Sequence, residues 1–304
     1  MYDIMIVGGG PAGLTAAVYA LRPGKSVLVI EKNGFGGQIA YSPKVENIPG
    51  TVQISGAEFA EKMVEQAMLL GADLELETVL SVEKDGDVFT VRTQEGSAFA
   101  AKTVILALGV KHRMLGLPGE EELIGSGLSF CAVCDGAFFA DQDVAVIGGG
   151  NSALQEALLL SEICQSVCVV QNLPHFTGEK KLADALMEKK NVQLRFGTVV
   201  KEYKQSGGAL SGLVLQRESD GETEEIRVDG AFLAVGLQPE NEAFADLVGL
   251  NAWGYFDCAE DCRTKTPGLF VAGDCRSKRI RQVTTAASDG AVAGTAACMY
   301  LDEM

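Results

Sequence analysis

Nowhere in this chain do about 18 apolar residues run together without a charge, the length a membrane-crossing helix requires, so a spanning segment is not expected. Positive charge is scarce: Lys and Arg total 25 against 41 Asp and Glu, a formal net charge of −16. A general nucleic-acid partner is thereby excluded, because phosphate contacts need clustered Lys and Arg. Histidine is nearly missing; His112 and His175 are the only two, and both are expected at the surface rather than in catalysis. No leader separates Met1 from the first strand-like run, "DIMIV", which gives the expectation of a cytoplasmic protein without a signal peptide. Eight cysteines are then no secreted disulfide framework; in a reducing compartment they are buried small groups, metal ligands or redox catalysts.

What the chain has in excess is glycine, 36 of 304 residues, without a period. Such glycine marks tight turns and close approach of backbone to a ligand. The strongest internal signal is a repeat: "DIMIVGGGPAGLTAAVYAL" near the start is echoed by "DVAVIGGGNSALQEALLL" from Asp143. Each copy is a short apolar strand, a glycine turn and a helical run, followed by a second strand, "SVLVIE" or "SVCVVQ". Between the copies, Phe59, Met63 and Ala67 space a helix, and the alternation around "DVFTVRT" suggests a small antiparallel sheet. After the second copy a helix is expected near 180–189, with strands near 192–196, 210–216 and 225–228. The closing segment, "TPGLFVAGDC" and a small-residue helix from Gln282 to Leu301, has no place in the second unit and is expected to return to the first. The fold class expected is therefore α/β, with two Rossmann-like (three-layer ββα) dinucleotide-binding domains, the first discontinuous.

Gly8, Gly10 and Gly13 form G-x-G-x-x-G between strand and helix, with Pro11 and Ala12 inside the motif and Glu31 closing the second strand. The glycines allow the turn, the approach of a pyrophosphate and the packing of helix on strand, while Glu31 can accept from a ribose hydroxyl. Gly148, Gly150 and Ala153 repeat the pattern less strictly. The interval from Gly8 to Glu31 equals that from Gly148 to Gln171, 23 residues. A 2′-phosphate would call for Arg or Lys at that point and NAD for an acid; Gln171 is neither. Weak nucleotide binding and an inherited fold that binds nothing both remain open from the residues alone.

"SFCAVCDG" places Cys131 and Cys134 in C-x-x-C with Asp135 beside them. A structural zinc needs four ligands, and the other close pairs, Cys164/Cys168 and Cys258/Cys262, are distant in sequence. A redox dithiol fits best, with Asp135 supplying a proton to a leaving thiolate; an inert core pair is the alternative. The remaining cysteines are expected to be small buried or loop residues.

Together these segments, with "GGQ" at 36–38, "ENIPG" at 46–50, "ALGVKHRMLGLPGE" at 107–120, "AGDC" at 272–275 and "RQV" at 281–283, resemble the low-molecular-weight flavoprotein thioredoxin reductases over nearly the whole chain. The resemblance implies FAD in the first unit, residues 1–115 and 242–304, bound through Gly8, Gly10, Pro11, Ala12, Gly13, Glu31, Gly36, Gly37, Gln38, Asn47, Ala107, Gly109, Gly273, Asp274, Arg281, Gln282 and Val283. It makes 116–241 a degenerate pyridine-nucleotide-type domain carrying the redox pair, with Cys134 toward the flavin and Cys131 attacking a thioredoxin. Asp135 would serve as acid and base. A homodimer is usual in the family.

One departure is sharp. NADPH-dependent members are expected to carry His-Arg-Arg and, about four residues on, a further Arg; here the matching positions are Gln171, Asn172, Leu173 and Thr177. In this the chain resembles the ferredoxin-dependent flavin thioredoxin reductases, so reduced ferredoxin is the expected electron donor. An NADPH- or NADH-dependent reductase and a flavin-binding redox sensor are the alternatives. "RSKRIR" (276–281) and "KHR" (111–113) are the densest cationic stretches and the expected dock for an acidic donor. A dithiol that serves both flavin and protein substrate implies a domain rotation, with hinges near Gly116–Gly119 and Gly236–Asn241.

Overall fold

A computed structural model describes residues 1–42 and 45–304. Strand β1 (Tyr2–Val7) buries its last four residues, Ile4 to Val7, each full burial of such a side chain contributing about 1.5–3 kcal/mol. Helix α1 (Pro11–Leu21) opens with Pro at its first turn, where no N–H is needed. It leads to β2 (Val27–Glu31), and α2 (Gly56–Leu69) follows, capped by the Ser55 side chain accepting from Glu58 N. Strands β3 (Asp73–Leu76), β4 (Val79–Asp85), β5 (Val88–Thr93) and β6 (Ala98–Leu106) complete this half.

Next come β7 (Leu128–Ser129), the single turn α3 (Ala132–Asp135), β8 (Asp143–Ile147), α4 (Asn151–Ser161), β9 (Ser166–Gln171), α5 (Lys180–Met187) and β10 (Val192–Phe196). An antiparallel set follows, β11 (Thr198–Ser206), β12 (Ala209–Arg217) and β13 (Thr223–Arg227), then β14 (Gly230–Leu233). The chain ends with β15 (Leu269–Val271) and α6 (Val283–Glu303).

The described residues fall into two compact bodies: 1–42, Ile48–Lys111 and Gln238–Met304 in one, Val45–Asn47 and His112–Leu237 in the other. The first body holds a seven-stranded sheet in the order β3-β2-β1-β6-β5-β4, with β15 parallel to β6. The segment around "DVFTVRT" is thus no separate sheet; β5 pairs antiparallel with β6 and extends the main one. The closing segment does return to the first body, and α6 explains its small residues. A Cβ on Gly290 would lie 2.1 Å from Ala12 O, and one on Gly294 2.7 Å from Ala16 O, so α1 and α6 touch backbone to backbone. The second body repeats the plan with a five-stranded parallel sheet, β10-β9-β8-β14-β7, and a three-stranded antiparallel sheet, β11-β12-β13. Strand β11 was not legible in the sequence: its alternation is broken by register shifts at Val200/Glu202 and Lys204/Gln205. Among the described residues no helix is long and apolar enough to cross a membrane.

Candidate functional site

In the first body the turn after β1 is built by sterics. Gly8 has φ +110, and a Cβ there would lie 2.2 Å from Ala107 O; one on Gly13 would lie 1.9 Å from Gly8 O. Only glycine permits this closeness. Gly10 caps α1 without a side chain, leaving the helix N-terminus to an anion. Glu31, at the end of β2, accepts from Gly9 N at 2.7 Å and from Asn33 N at 3.0 Å. Its carboxylate is therefore fixed beside the turn. Gly36 N donates to Gly9 O at 2.8 Å, which lays Gly36 and Gly37 on the turn, and the Gln38 amide donates to Val110 O.

The return segment reaches the same turn. Ala107 N donates to Val7 O at 2.7 Å, and a Cβ on Gly273 would meet the Ala12 Cβ at 2.8 Å. Gly109 follows β6 with φ +66. Asp274 has a buried carboxylate oxygen, Oδ1, with no hydrogen-bond partner and Lys278 3.5 Å away. Burial raises its pKa, opposed by Lys278 and Arg281. An orphaned acceptor of this kind fits a hydroxyl-bearing ligand such as a ribityl chain. Arg281 donates to Asp274 O at 3.2 Å and lies 4.2 Å over the Tyr255 ring. Gln282 caps α6 through a capping box with Thr285, and Val283 begins that helix. All the nucleotide residues expected from the sequence lie in this body except Asn47, which groups with the second.

The cationic stretch here is not what the sequence suggested. Arg276 is 7% exposed, donating to Asp289 Oδ1 at 2.8 Å and to Ala259 O at 3.0 Å. Lys278 donates to Asp289 Oδ2 at 3.0 Å. Both charges are spent inside, holding Asp289, which in turn accepts from Gly273 N at 3.0 Å. Lys111 pairs with Glu240 at 2.7 Å. Of "RSKRIR" only Arg279 is an exposed cation.

In the second body the turn keeps its shape: Gly148 has φ +135, and a Cβ there would lie 2.4 Å from Ala234 O. The side chain at the end of β9 behaves differently. Gln171 is 5% exposed, donates to His175 O at 3.3 Å, and packs so that a Cβ on Gly149 would lie 2.4 Å from its amide. Asn172 and Leu173 are exposed, and Thr177 Oγ1 donates to Gly149 O at 3.3 Å. From Gln171 to Glu179 there is no Lys or Arg.

Ahead of this turn Cys131 and Cys134 form a disulfide. Cys134 N donates to Cys131 Sγ at 3.2 Å, an arrangement that favours negative charge on that sulfur. Asp135 Oδ2 accepts from Ser129 Oγ at 2.6 Å, and Ser129 Oγ accepts from Cys131 N at 3.1 Å. The other oxygen, Asp135 Oδ1, is buried without a partner. Burial raises the Asp135 pKa against the pull of Ser129, keeping a proton on it further toward neutrality. Ser129 was missed at the sequence level; its signal is its place two residues before the first Cys, at the end of β7. His175 is exposed as expected, whereas His112 is half-buried. It stacks on Phe130 with centroids 4.3 Å apart, and burial lowers its pKa to about 4. The other cysteines are free, five buried and Cys258 half-buried, and no group of three or more His, Cys, Asp or Glu among the described residues could hold a metal ion.

Residues 2–290 match the family described as pyridine nucleotide-disulphide oxidoreductase. A thioredoxin reductase of Treponema pallidum is 39% identical over 304 residues, all of this chain and 98% of the relative. A thioredoxin reductase of Listeria monocytogenes is 38% identical, again over all of this chain and 95% of the relative. Among solved structures, that of thioredoxin reductase from Streptococcus pyogenes is 39% identical, covers 100% of this chain and 99% of its own, and superposes with a TM-score of 0.94.

Proposed function

Because the chain belongs to the low-molecular-weight thioredoxin reductases, disulfide oxidoreductases that bind FAD, we propose that it reduces a thioredoxin through Cys131 and Cys134 with electrons from reduced ferredoxin rather than NADPH. The observation that carries the donor assignment is Gln171: neutral, buried and committed to His175 O, in a loop without a cation. Each charge-assisted contact to a phosphate is worth about 1.5–3 kcal/mol. A cradle lacking all of them grips a 2′-phosphate poorly.

The Gly8–Gly13 turn, Glu31, Asp274 and the start of α6 would hold FAD, which when bound would supply the electron pair for the disulfide. Two electrons and two protons convert the Cys131–Cys134 bond to two thiols. Asp135 takes the Cys131 proton, the Cys131 thiolate, favoured by Cys134 N, attacks the disulfide of the substrate, and the substrate sulfur that leaves takes that proton back from Asp135. Cys134 next gives up its proton and attacks Cys131 Sγ; the second substrate sulfur leaves and takes that proton, which frees the substrate as a dithiol and restores the internal disulfide. The same reading includes a rotation of the second body between half-reactions, and a homodimer in solution.

The retained Gly148 turn favours a second reading, in which NADPH or NADH still binds. An anaerobic titration separates the two. Reduced ferredoxin should bleach the flavin band within the turnover time while NADPH and NADH leave it yellow; rapid bleaching by either nucleotide would sink the ferredoxin assignment.

A further inference from the structure

In a chain with 41 Asp and Glu, the stretches Leu250–Phe256 and Cys275–Ser288 carry no carboxylate at all. The fold holds them side by side in the first body. Phe256 N donates to Cys275 O at 3.0 Å, Ser277 N donates to Phe256 O at 2.8 Å, and Asn251 Nδ2 donates to Ser277 Oγ at 3.3 Å. The Arg281 guanidinium over the Tyr255 ring closes the other end.

This strip, which the exposed Asp257 borders, displays two large apolar side chains. Trp253, the only tryptophan, is 78% exposed, and Ile280 is 64% exposed. Trp253 is not on a loose loop: Asn251 Oδ1 accepts from Trp253 N at 2.9 Å and from Tyr255 N at 3.1 Å, while Asn241 Nδ2 donates to Gly254 O at 2.9 Å. So large an apolar group held fixed in water marks a candidate contact surface. The exposed charge on the strip is Arg279, with Arg281 half-buried behind it.

We propose that this strip is the docking surface for the electron donor, a small acidic one-electron protein, with Trp253 and Ile280 as apolar anchors and Arg279 as the cation. The proposal rests on the donor reading above and replaces the cationic dock expected from sequence, since Arg276 and Lys278 are spent on Asp289. Charge decides the occupant. An acidic donor approaching a chain of net charge −16 is repelled except where carboxylates are missing and a cation, here Arg279, is exposed; a second copy seated here is an outcome that the test excludes. The strip also adjoins Asp274 and the start of α6, the segments that would hold FAD. A donor seated here delivers its electrons one per encounter, two encounters supplying the pair that opens the disulfide. Aromatic and Arg anchors at a partly apolar centre are the side chains that dominate binding at such contacts.

The test uses the FAD-loaded full chain and reduced plant-type ferredoxin under anaerobic stopped flow. W253A and I280S should each raise the half-saturating ferredoxin concentration by about ten-fold, with the dithionite-driven rate and the melting temperature unchanged. Independently, titration of wild type with oxidised ferredoxin should quench the single Trp253 emission, and more salt should weaken that effect. If neither variant changes the half-saturating concentration while ferredoxin still bleaches the wild type, the strip is not the dock and the donor reading stands. If ferredoxin fails to bleach the wild type, both fall. A Trp253 signal that responds to thioredoxin or to the chain's own concentration instead of ferredoxin overturns the proposal as well.

Discussion

The Gly8 and Gly148 turns share a backbone and differ in what the following strand delivers. Both first glycines have a strongly positive φ and lie within van der Waals reach of the next crossing strand. At the end of β2, Glu31 offers a charged carboxylate held by two backbone donors. At the end of β9, Gln171 has turned inward to a local carbonyl. The lesson is that packing preserves a cradle, whereas ligand choice rests on a few side chains that packing does not need.

The comparison breaks hardest at these two residues. Glu31→Ala removes an ionised acceptor from Gly9 N and Asn33 N, an interaction worth about 1.5–3 kcal/mol, and should lower FAD retention by about ten-fold or more. Gln171→Ala should leave FAD content intact. The flavin-to-protein absorbance ratio after gel filtration reads both; equal loss in the two variants would mean that the cradles are not functionally different.

An opposite effect is expected from restoring charge. With Arg at the exposed positions of Asn172 and Leu173, affinity for NADPH should rise by about ten- to a hundred-fold, as measured by fluorescence titration. No gain would show that the missing cations are not what limits the second cradle.

The smallest effect concerns what the second body has kept. In Ser129→Ala the hydroxyl that holds the Asp135 pKa down is gone while burial still raises it. The protonated acid then persists to higher pH, so the descending limb of thioredoxin reduction against pH should move upward, with less than about a ten-fold change at its plateau. A limb that moves down, or stays, contradicts the assignment of Asp135 as the acid.

Much of this was legible without coordinates. The repeat, the glycine turns and the apolar strands are local patterns, and each appears where the periodicity predicts, as does the return of β15 and α6 to the first body. The errors have a common cause. Arg276 and Lys278 read as surface charge because sequence does not reveal that Asp289, on the next helix, turns back to meet them. His112 read as exposed because its partner, Phe130, is remote along the chain. Ser129 passed unnoticed because a serine two residues before a cysteine has no chemistry until a turn brings it against a carboxylate.

The sequence by itself determined the two Rossmann-like units, the Cys131–Cys134 pair and the absence of Lys and Arg from Gln171 to Glu179, because strand and helix periods, glycine turns and residue charge are properties of short segments. Only the tertiary structure decided which charges are free to meet a partner, which carboxyl has its pKa raised by burial and that Gln171 is spent on its own loop. Those depend on burial and on pairings between distant segments, where removal from water sets the energy of a charge.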